Sequence, residues 1–215
     1  MSNLSYMQKA TDRGQLQIHV TTERGFFPIK DASIRLSYTG NPTEIIEELS
    51  TDISGQTAAV ELPAPPLEYS MEPSEFQPYS EYTIQVNASG YRPINISGIS
   101  VLPDKTSIQN VRMETATVEN PLERNIVITA NTLYGNFPPK IPEDEIKPMT
   151  ESGEIVLSRV VIPEYVIVHD GPPSDSSAND YYVRYRDYIK NVASSEIYAT
   201  WPDAALRANI LAIMS

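Results

Sequence analysis

Apolar and polar residues alternate with a period of two over most of the first half of this 215-residue chain. Leu16, Ile18 and Val20 alternate with Gln15, Gln17 and His19, the pattern of a half-buried strand. Ala32, Ile34, Leu36 and Tyr38 repeat it, as do Tyr82, Ile84, Val86 and Ala88. Further strands are predicted over 44–49, 57–62, 94–101 and 106–113. Turn signals separate them at Gly25-Phe26-Phe27-Pro28, Gly40-Asn41-Pro42, Thr51-Asp52-Ile53-Ser54-Gly55 and Gly90-Tyr91-Arg92-Pro93. Pro63 to Pro78 reads as a proline-rich excursion. Short strands at this turn-punctuated spacing predict a mainly β chain with an N-terminal seven-stranded sandwich. His19 falls among the polar positions and reads as an exposed strand histidine.

The pattern then changes twice. Residues 1–13 read as a flexible tail, 14–117 as the sandwich, and 118–180 as an extended proline-rich connector. In the connector, Ile126, Ile128 and Ala130 suggest one strand, and 155–161 and 165–168 are apolar enough for buried strands. Gly135 to Pro142 and the acidic Glu143-Asp144-Glu145 read as an irregular excursion, either a binding segment or a semi-rigid spacer. His169-Asp170-Gly171-Pro172-Pro173 ends the last strand in a turn, and Ser174 to Asp180 reads as flexible. A polar pair at a strand end can orient a substrate, which makes His169 a candidate binding residue. The alternative is that Asp170 simply starts a Gly-Pro turn.

Helical spacing appears from Tyr185 to Ser215, within a last segment of 181–215. Tyr185, Ile189, Val192 and Glu196 fall on one face of a first helix, apolar except for Glu196. After a Tyr-Ala-Thr-Trp-Pro break, Thr200 and Asp203 stand in a Thr-x-x-acid capping arrangement, with Pro202 suited to the first turn. Leu206, Ile210 and Ile213 make the stripe of a second helix, with alanines at 204, 205, 208 and 212 permitting close packing. Glu196 then has two readings. It turns outward to water or pairs with Lys190 or Arg184, or else it is desolvated and so retains a proton, as a general acid must. Tyr181, Tyr182, Tyr185 and Tyr188 invite sugar stacking, but at these spacings 185 and 188 are more often core. Trp201, beside Tyr198 at the break, is the better stacking candidate, or else it staples the start of the second helix.

Composition narrows the function classes. Net charge is −12 and the isoelectric point about 4.6, which argues against nucleic acid or anionic lipid as partner. There is no cysteine, so disulfides and thiolate metal sites are excluded. With only two histidines, His19 and His169, far apart in sequence, a histidine metal cluster or a Ser-His-acid triad is not expected, and no cofactor is implied. No run approaches the ~20 apolar residues of a membrane-spanning helix, so no integral membrane segment is expected. The N-terminus lacks the apolar core of a secretory signal.

Two stretches carry resemblances. The run Tyr188-Ile189-Lys190-Asn191-Val192, then Glu196-Ile197 and Trp201-Pro202-Asp203-Ala204-Ala205-Leu206-Arg207-Ala208, resembles the opening of the stage II sporulation protein D catalytic domain. Asn209 departs from the Gln-Ala step usual there. Members of that family are peptidoglycan lytic transglycosylases. The resemblance implies that Glu196 is the catalytic acid/base; Trp201, Tyr198 and His169 stand beside it as candidate substrate-binding residues, and no metal is expected. Glu196 would protonate the glycosidic oxygen between N-acetylmuramic acid and N-acetylglucosamine. As a carboxylate it would then take the muramoyl C6 hydroxyl proton, giving an anhydro product without the second carboxylate of most glycosidases. It also implies that 181–215 is the start of a longer domain. Gly14-x-Leu16-x-Ile18-x-Val20, Thr51-Asp52-x-x-Gly55, Leu62-Pro63-Ala64-Pro65 and Gly90-Tyr91 are similar to carboxypeptidase regulatory-like domains, transthyretin-like sandwiches without catalysis of their own. There the Thr-Asp and Gly-Tyr pieces shape turns.

Together these readings give a peptidoglycan-associated protein of the cell envelope or spore, acting on glycan strands as a lytic transglycosylase with an N-terminal binding and spacing sandwich. The alternative is a non-catalytic cell-wall, spore or particle module assembled in the cytoplasm, with protein partners as well as glycan.

Overall fold

The computed structural model describes residues 12–71, 75–117, 122–130, 133–134, 162–172 and 175–214. The expected strand at 155–161 and the excursion over 135–145 lie outside them. The chain divides into two units, residues 1–135 with Tyr198–Pro202, and residues 136–197 with 203–215.

The first unit is a β-sandwich. Its strands are β1 (Asp12–Thr22), β2 (Ser33–Tyr38), β3 (Asn41–Ser50), β4 (Val60–Ala64), β5 (Ser80–Asn87), β6 (Ile94–Val101), β7 (Thr106–Met113) and β8 (Arg124–Val127). One sheet runs β4-β1-β7 and the other β3-β2-β5-β6-β8. The strand expected around Ile126 therefore forms an eighth member, β8, parallel to β6 with Ile96 opposite Ile126. The strand β1 begins at Asp12, inside the expected tail, and its Arg13 pairs with Glu61 at 3.1 Å.

The alternation explains the core. Leu16, Ile18 and Val20 from β1 and Val111 and Met113 from β7 point inward from one sheet. Ile34 and Leu36 from β2, Tyr82, Ile84 and Val86 from β5, and Ile94 and Ile96 from β6 meet them from the other. Register keeps the set in phase, with Leu36 opposite Ile84 and Ile84 opposite Ile96. Burying each such side chain is worth ~1.5–3 kcal/mol, so this layer dominates the unit's stability. Tyr82 is fully buried, yet its hydroxyl donates to the Pro63 carbonyl at 2.7 Å and its ring stacks on Tyr38 at 5.0 Å.

Two local features depart from simple alternation. In β6 the inward positions step from Ile96 to Ile99, and the pairing shifts between Tyr82 and Ile84. Gly98, at φ +83, permits that bulge, where any side chain would run into the Ile128 carbonyl. The proline-rich excursion also contains a short helix, α1 (Glu68–Met71), with Ser70 buried. Pro63 sits in β4 without cost because β4 is an edge strand, paired only with β1.

The Thr51-Asp52-Ile53-Ser54-Gly55 turn is locked by its own side chains. Buried Thr51 donates its hydroxyl to the Ile29 carbonyl at 2.7 Å and accepts the Ala32 N–H at 2.9 Å. The Asp52 carboxylate accepts the N–H groups of Ser54 and Gln56.

The second unit contains a hairpin of β9 (Tyr165–His169) and β10 (Asp180–Arg184), then α2 (Tyr185–Ser194) and α3 (Asp203–Met214). The strand β10 ends at Arg184, just ahead of the helical stretch expected from Tyr185. Its Asp-Tyr-Tyr-Val-Arg sequence carries the aromatic and β-branched residues that favour strands.

Ile84→Ala should destabilise the first unit by about 2–5 kcal/mol, because Ile84 is fully enclosed and its loss leaves a cavity. Denaturant unfolding monitored by far-UV circular dichroism measures this.

Candidate functional site

The expected helix, break and helix around Trp201-Pro202 form, with Glu196 lying past the end of the first helix. The helix α2 ends at Ser194. The hydroxyls of Ser194 and Ser195 both donate back to the Asn191 carbonyl, each at 2.9 Å. Serine side chains that satisfy the last carbonyls compete with continued helix. The stripe of Tyr185, Ile189 and Val192 therefore stops before Glu196, and only Ile189 is buried. Glu196 itself is exposed and accepts a hydrogen bond from the Asn209 amide of α3 at 3.0 Å. The described residues do not enclose the Glu196 carboxylate.

The expected cap at Thr200 is also absent. Its hydroxyl is buried without a partner among the described residues, and α3 starts at Asp203 with Pro202 just before it. Along α3, Leu206, Ile210 and Ile213 are half-buried, and no residue of that helix is fully enclosed.

The other nominated residues divide between the two units. Tyr198 and Trp201 belong to the first unit, Glu196 and His169 to the second. The Trp201 indole N–H donates to the Ser70 carbonyl of α1 at 2.9 Å, an anchoring role. Burial pushes the Tyr198 phenol up to about 12, with Tyr134 adding to the effect. Tyr134 in turn packs edge-on against Tyr79 at 5.7 Å. No pattern in the sequence marks this tyrosine group, because its members are remote from one another in the chain.

His169 holds its own hairpin together. Its Nδ1 lies 2.9 Å from Asp180 Oδ1, directly across the β9–β10 pair, and its Nε2 lies 3.1 Å from the Pro172 carbonyl. Both partners are acceptors, so only the doubly protonated imidazolium satisfies them together. Accordingly the Asp180 hydrogen bond raises the His169 pKa, with the Pro172 carbonyl contributing. His169 closes a turn, and its hydrogen-bond partners are not those of Glu196. Among the described residues no three His, Asp or Glu side chains converge as metal ligands, and no helix is long and apolar enough to cross a membrane.

A hollow with a defined lining lies on the sandwich. Arg92, Ile94, Arg112, Met113, Glu114 and Arg124 surround an open space of about 140 Å³. Glu114 bridges two of the arginines, Arg92 at 3.1 Å and Arg124 at 2.9 Å. No motif announces this cluster, since its members come from three separate segments.

Comparison with known proteins adds little to this geometry. No family model matches the chain, and no curated protein matches it. Neither the sporulation nor the carboxypeptidase regulatory-like resemblance thus gains support at the family level. Among solved structures, the Bacillus anthracis TIE protein is 17% identical with a TM-score of 0.34, over 49% of this chain and 17% of that one. GBS52, the minor pilin of Streptococcus agalactiae, is 13% identical with a TM-score of 0.34, over 50% and 46%. Klebsiella pneumoniae 5-hydroxyisourate hydrolase is 15% identical with a TM-score of 0.32, over 48% and 92%. The chain spans less than half the length of the first two. These likenesses are coarse and assign no function.

Two outcomes are expected. His169 has a raised pKa in the folded hairpin, so its stabilisation is complete below the ordinary histidine value of 6.5 and is lost as pH rises through the raised value. An NMR titration of the imidazole, with amide exchange in β9 and β10, should show that order, and Asp180→Asn should lower the His169 midpoint. Separately, Trp201→Phe removes the bond to Ser70 and should cost about 1 kcal/mol in chemical denaturation.

Proposed function

We propose that this chain is a peptidoglycan-associated binding and spacing protein whose described residues hold glycan without cutting it. The observation that carries the non-catalytic half is the state of Glu196, exposed beyond the end of α2 and engaged by Asn209. A carboxylate in that setting lacks the water exclusion that tunes a general acid. The glycan half rests on the Glu196 to Ala208 string and its likeness to the stage II sporulation protein D opening. In this reading the acidic sandwich is a rigid platform, and the protein works at the cell envelope.

One observation favours a second reading, lytic transglycosylation. Helices α2 and α3 do flank the Tyr-Ala-Thr-Trp-Pro break in the chain, and Glu196 precedes it with a hydrogen-bond donor in place. Substrate or further chain that covers Glu196 would supply the desolvation.

Incubation of the full chain with purified peptidoglycan separates the two. The binding reading expects co-sedimentation, no fall in turbidity, no anhydromuropeptides, and equal retention of Glu196→Gln. Anhydromuropeptide release that Glu196→Gln abolishes would establish the second reading instead. Failure to co-sediment, with no product formed, removes peptidoglycan from both.

A further inference from the structure

We propose that the free edge of β7 is a homodimerisation surface, on which the same strand of a second copy pairs antiparallel, with Ile108 facing Ile108 across a two-fold axis. This surface lies on the sandwich, and it does not rest on the glycan reading.

An exposed strand edge invites another strand unless charge, proline, a bulge or short length blunts it. Among the described residues the sandwich has its edges at β3, β4, β7 and β8. Three of these are guarded. The strand β3 carries Pro42, Glu44, Glu47 and Glu48, and register shifts break its pairing with β2. The strand β4 is five residues long and contains Glu61 and Pro63. The strand β8 is four residues long and opens on Arg124. Over 106–111, β7 has none of these devices. It holds no charge and no proline there, and its register on β1 runs unbroken from Thr106 to Met113. Ile108 stands 55% exposed in the middle of that stretch.

The backbone along this edge lacks a ladder partner. Successive residues of a strand turn their N–H and C=O groups to opposite edges. The Lys105 carbonyl accepts the Gln15 N–H at 2.8 Å, and the Val111 carbonyl accepts the Thr21 hydroxyl at 3.5 Å, both from β1. Odd-numbered residues therefore serve β1, and Thr106, Ile108 and Asn110 turn their backbone groups to the free side. No other strand of the described residues lies there. The Asn110 carbonyl instead accepts the side-chain amide of its neighbour Gln109 at 2.9 Å.

Symmetry and side-chain matching favour a second copy as the occupant. Directly opposed residues of an antiparallel pair point to the same face, so a two-fold axis between copies of one strand must set one residue opposite itself. With Ile108 on the axis, its N–H and C=O meet those of Ile108 in the second copy, and Thr106 and Asn110 exchange theirs with each other. The two exposed isoleucines then cover one another, and polar Thr106 and Asn110 are opposed on either side of them. Beyond the strand ends, position 104, an aspartate, is carried toward position 112, an arginine. Centring on Ser107 or Gln109 would set Ile108 against Thr106 or Asn110 and lose the apolar match. The three-stranded sheet becomes half of a continuous one, ordered β4-β1-β7-β7-β1-β4. Each copy carries a net charge of −12, but that repulsion is screened beyond ~8 Å at physiological salt, and the paired stretch itself is uncharged.

The test is sedimentation velocity on the full chain at rising concentration, together with cysteine cross-linking, which the lack of native cysteine makes site-specific. A reversible dimer is expected. Ile108→Lys sets two ammonium groups face to face and should raise the dissociation constant at least tenfold. Ile45→Lys, on the β3 edge, should leave it unchanged. Under mild oxidation Ile108→Cys should cross-link to its own copy, because residues so opposed lie ~5.5 Å apart at Cα, within disulfide reach. Asn110→Cys alone should not, whereas Thr106→Cys mixed with Asn110→Cys should give the mixed dimer. Far-UV circular dichroism checks the fold of each variant, and the cysteine pairs decide the matter by themselves if the lysine variant unfolds. A chain that stays monomeric up to its solubility limit, a dimer that a folded Ile108→Lys leaves intact, or Asn110→Cys cross-linking as fast as Ile108→Cys would each overturn the proposal.

Discussion

The structure depends on the inward half of β1. Leu16, Ile18 and Val20 lie between β4 and β7 and face the buried side chains of β2, β5 and β6. Because the side-chain period of a strand is two, a slip of one residue would exchange these three for Gln15, Gln17 and His19. That exchange would place two amides and an imidazole in an apolar layer that offers their polar groups no partners. The register of the central strand is therefore fixed by chemistry on both of its faces. The outward face shows the same logic, since Gln17 donates its amide to the Thr57 carbonyl at 3.1 Å. Strands added to either side inherit that register.

Loops obey the same constraint. Turns that leave such a core must satisfy backbone groups that no longer have a strand partner. At Thr51 one hydroxyl serves both the Ile29 carbonyl and the Ala32 N–H, and at Asp52 one carboxylate oxygen serves two N–H groups. These short polar side chains do locally what a ladder does along a strand. The turn is consequently rigid, and Ile53 at its tip stays exposed at 78%.

Legibility in the sequence tracks how local the cause is. The sandwich strands are readable because alternation at 14–20, 32–38 and 82–88 is a property of each segment alone. The Thr51-Asp52 turn is readable for the same reason. The bulge at Gly98 is not, since it reflects the Ile128 carbonyl, which approaches from the far end of β8 and beyond. Glu196 shows a different failure. Its spacing from Val192 is correct for a helix, but Ser194 and Ser195 close the helix before it. A helical stripe extends only as far as the helix, and consecutive serines ahead of a Trp-Pro break are the signal that it stops. Trp201 resembles a ligand platform because the sequence shows only its near neighbours. Its actual partner, Ser70, is 131 residues away.

Charge is placed by a different rule around Glu114 than in the rest of the sandwich. Elsewhere, single arginines meet single carboxylates at the surface: Arg13 with Glu61, and Arg35 with Glu48. Exposed pairs of that kind are worth ~0–1 kcal/mol and serve mainly to keep edges apart from one another. Around Glu114 the ratio is different, and the side chains are less exposed, 19% for Arg92 and 27% for Glu114. Partial burial raises the cost of leaving either partner without its counter-charge. A fold stabilised by its apolar layer has no need of such a cluster for cohesion. The arginines also occupy three short segments held in place by backbone bonds rather than by one another. Glu114 ties the Arg92 and Arg124 segments together, a shared bridge rather than another isolated surface pair.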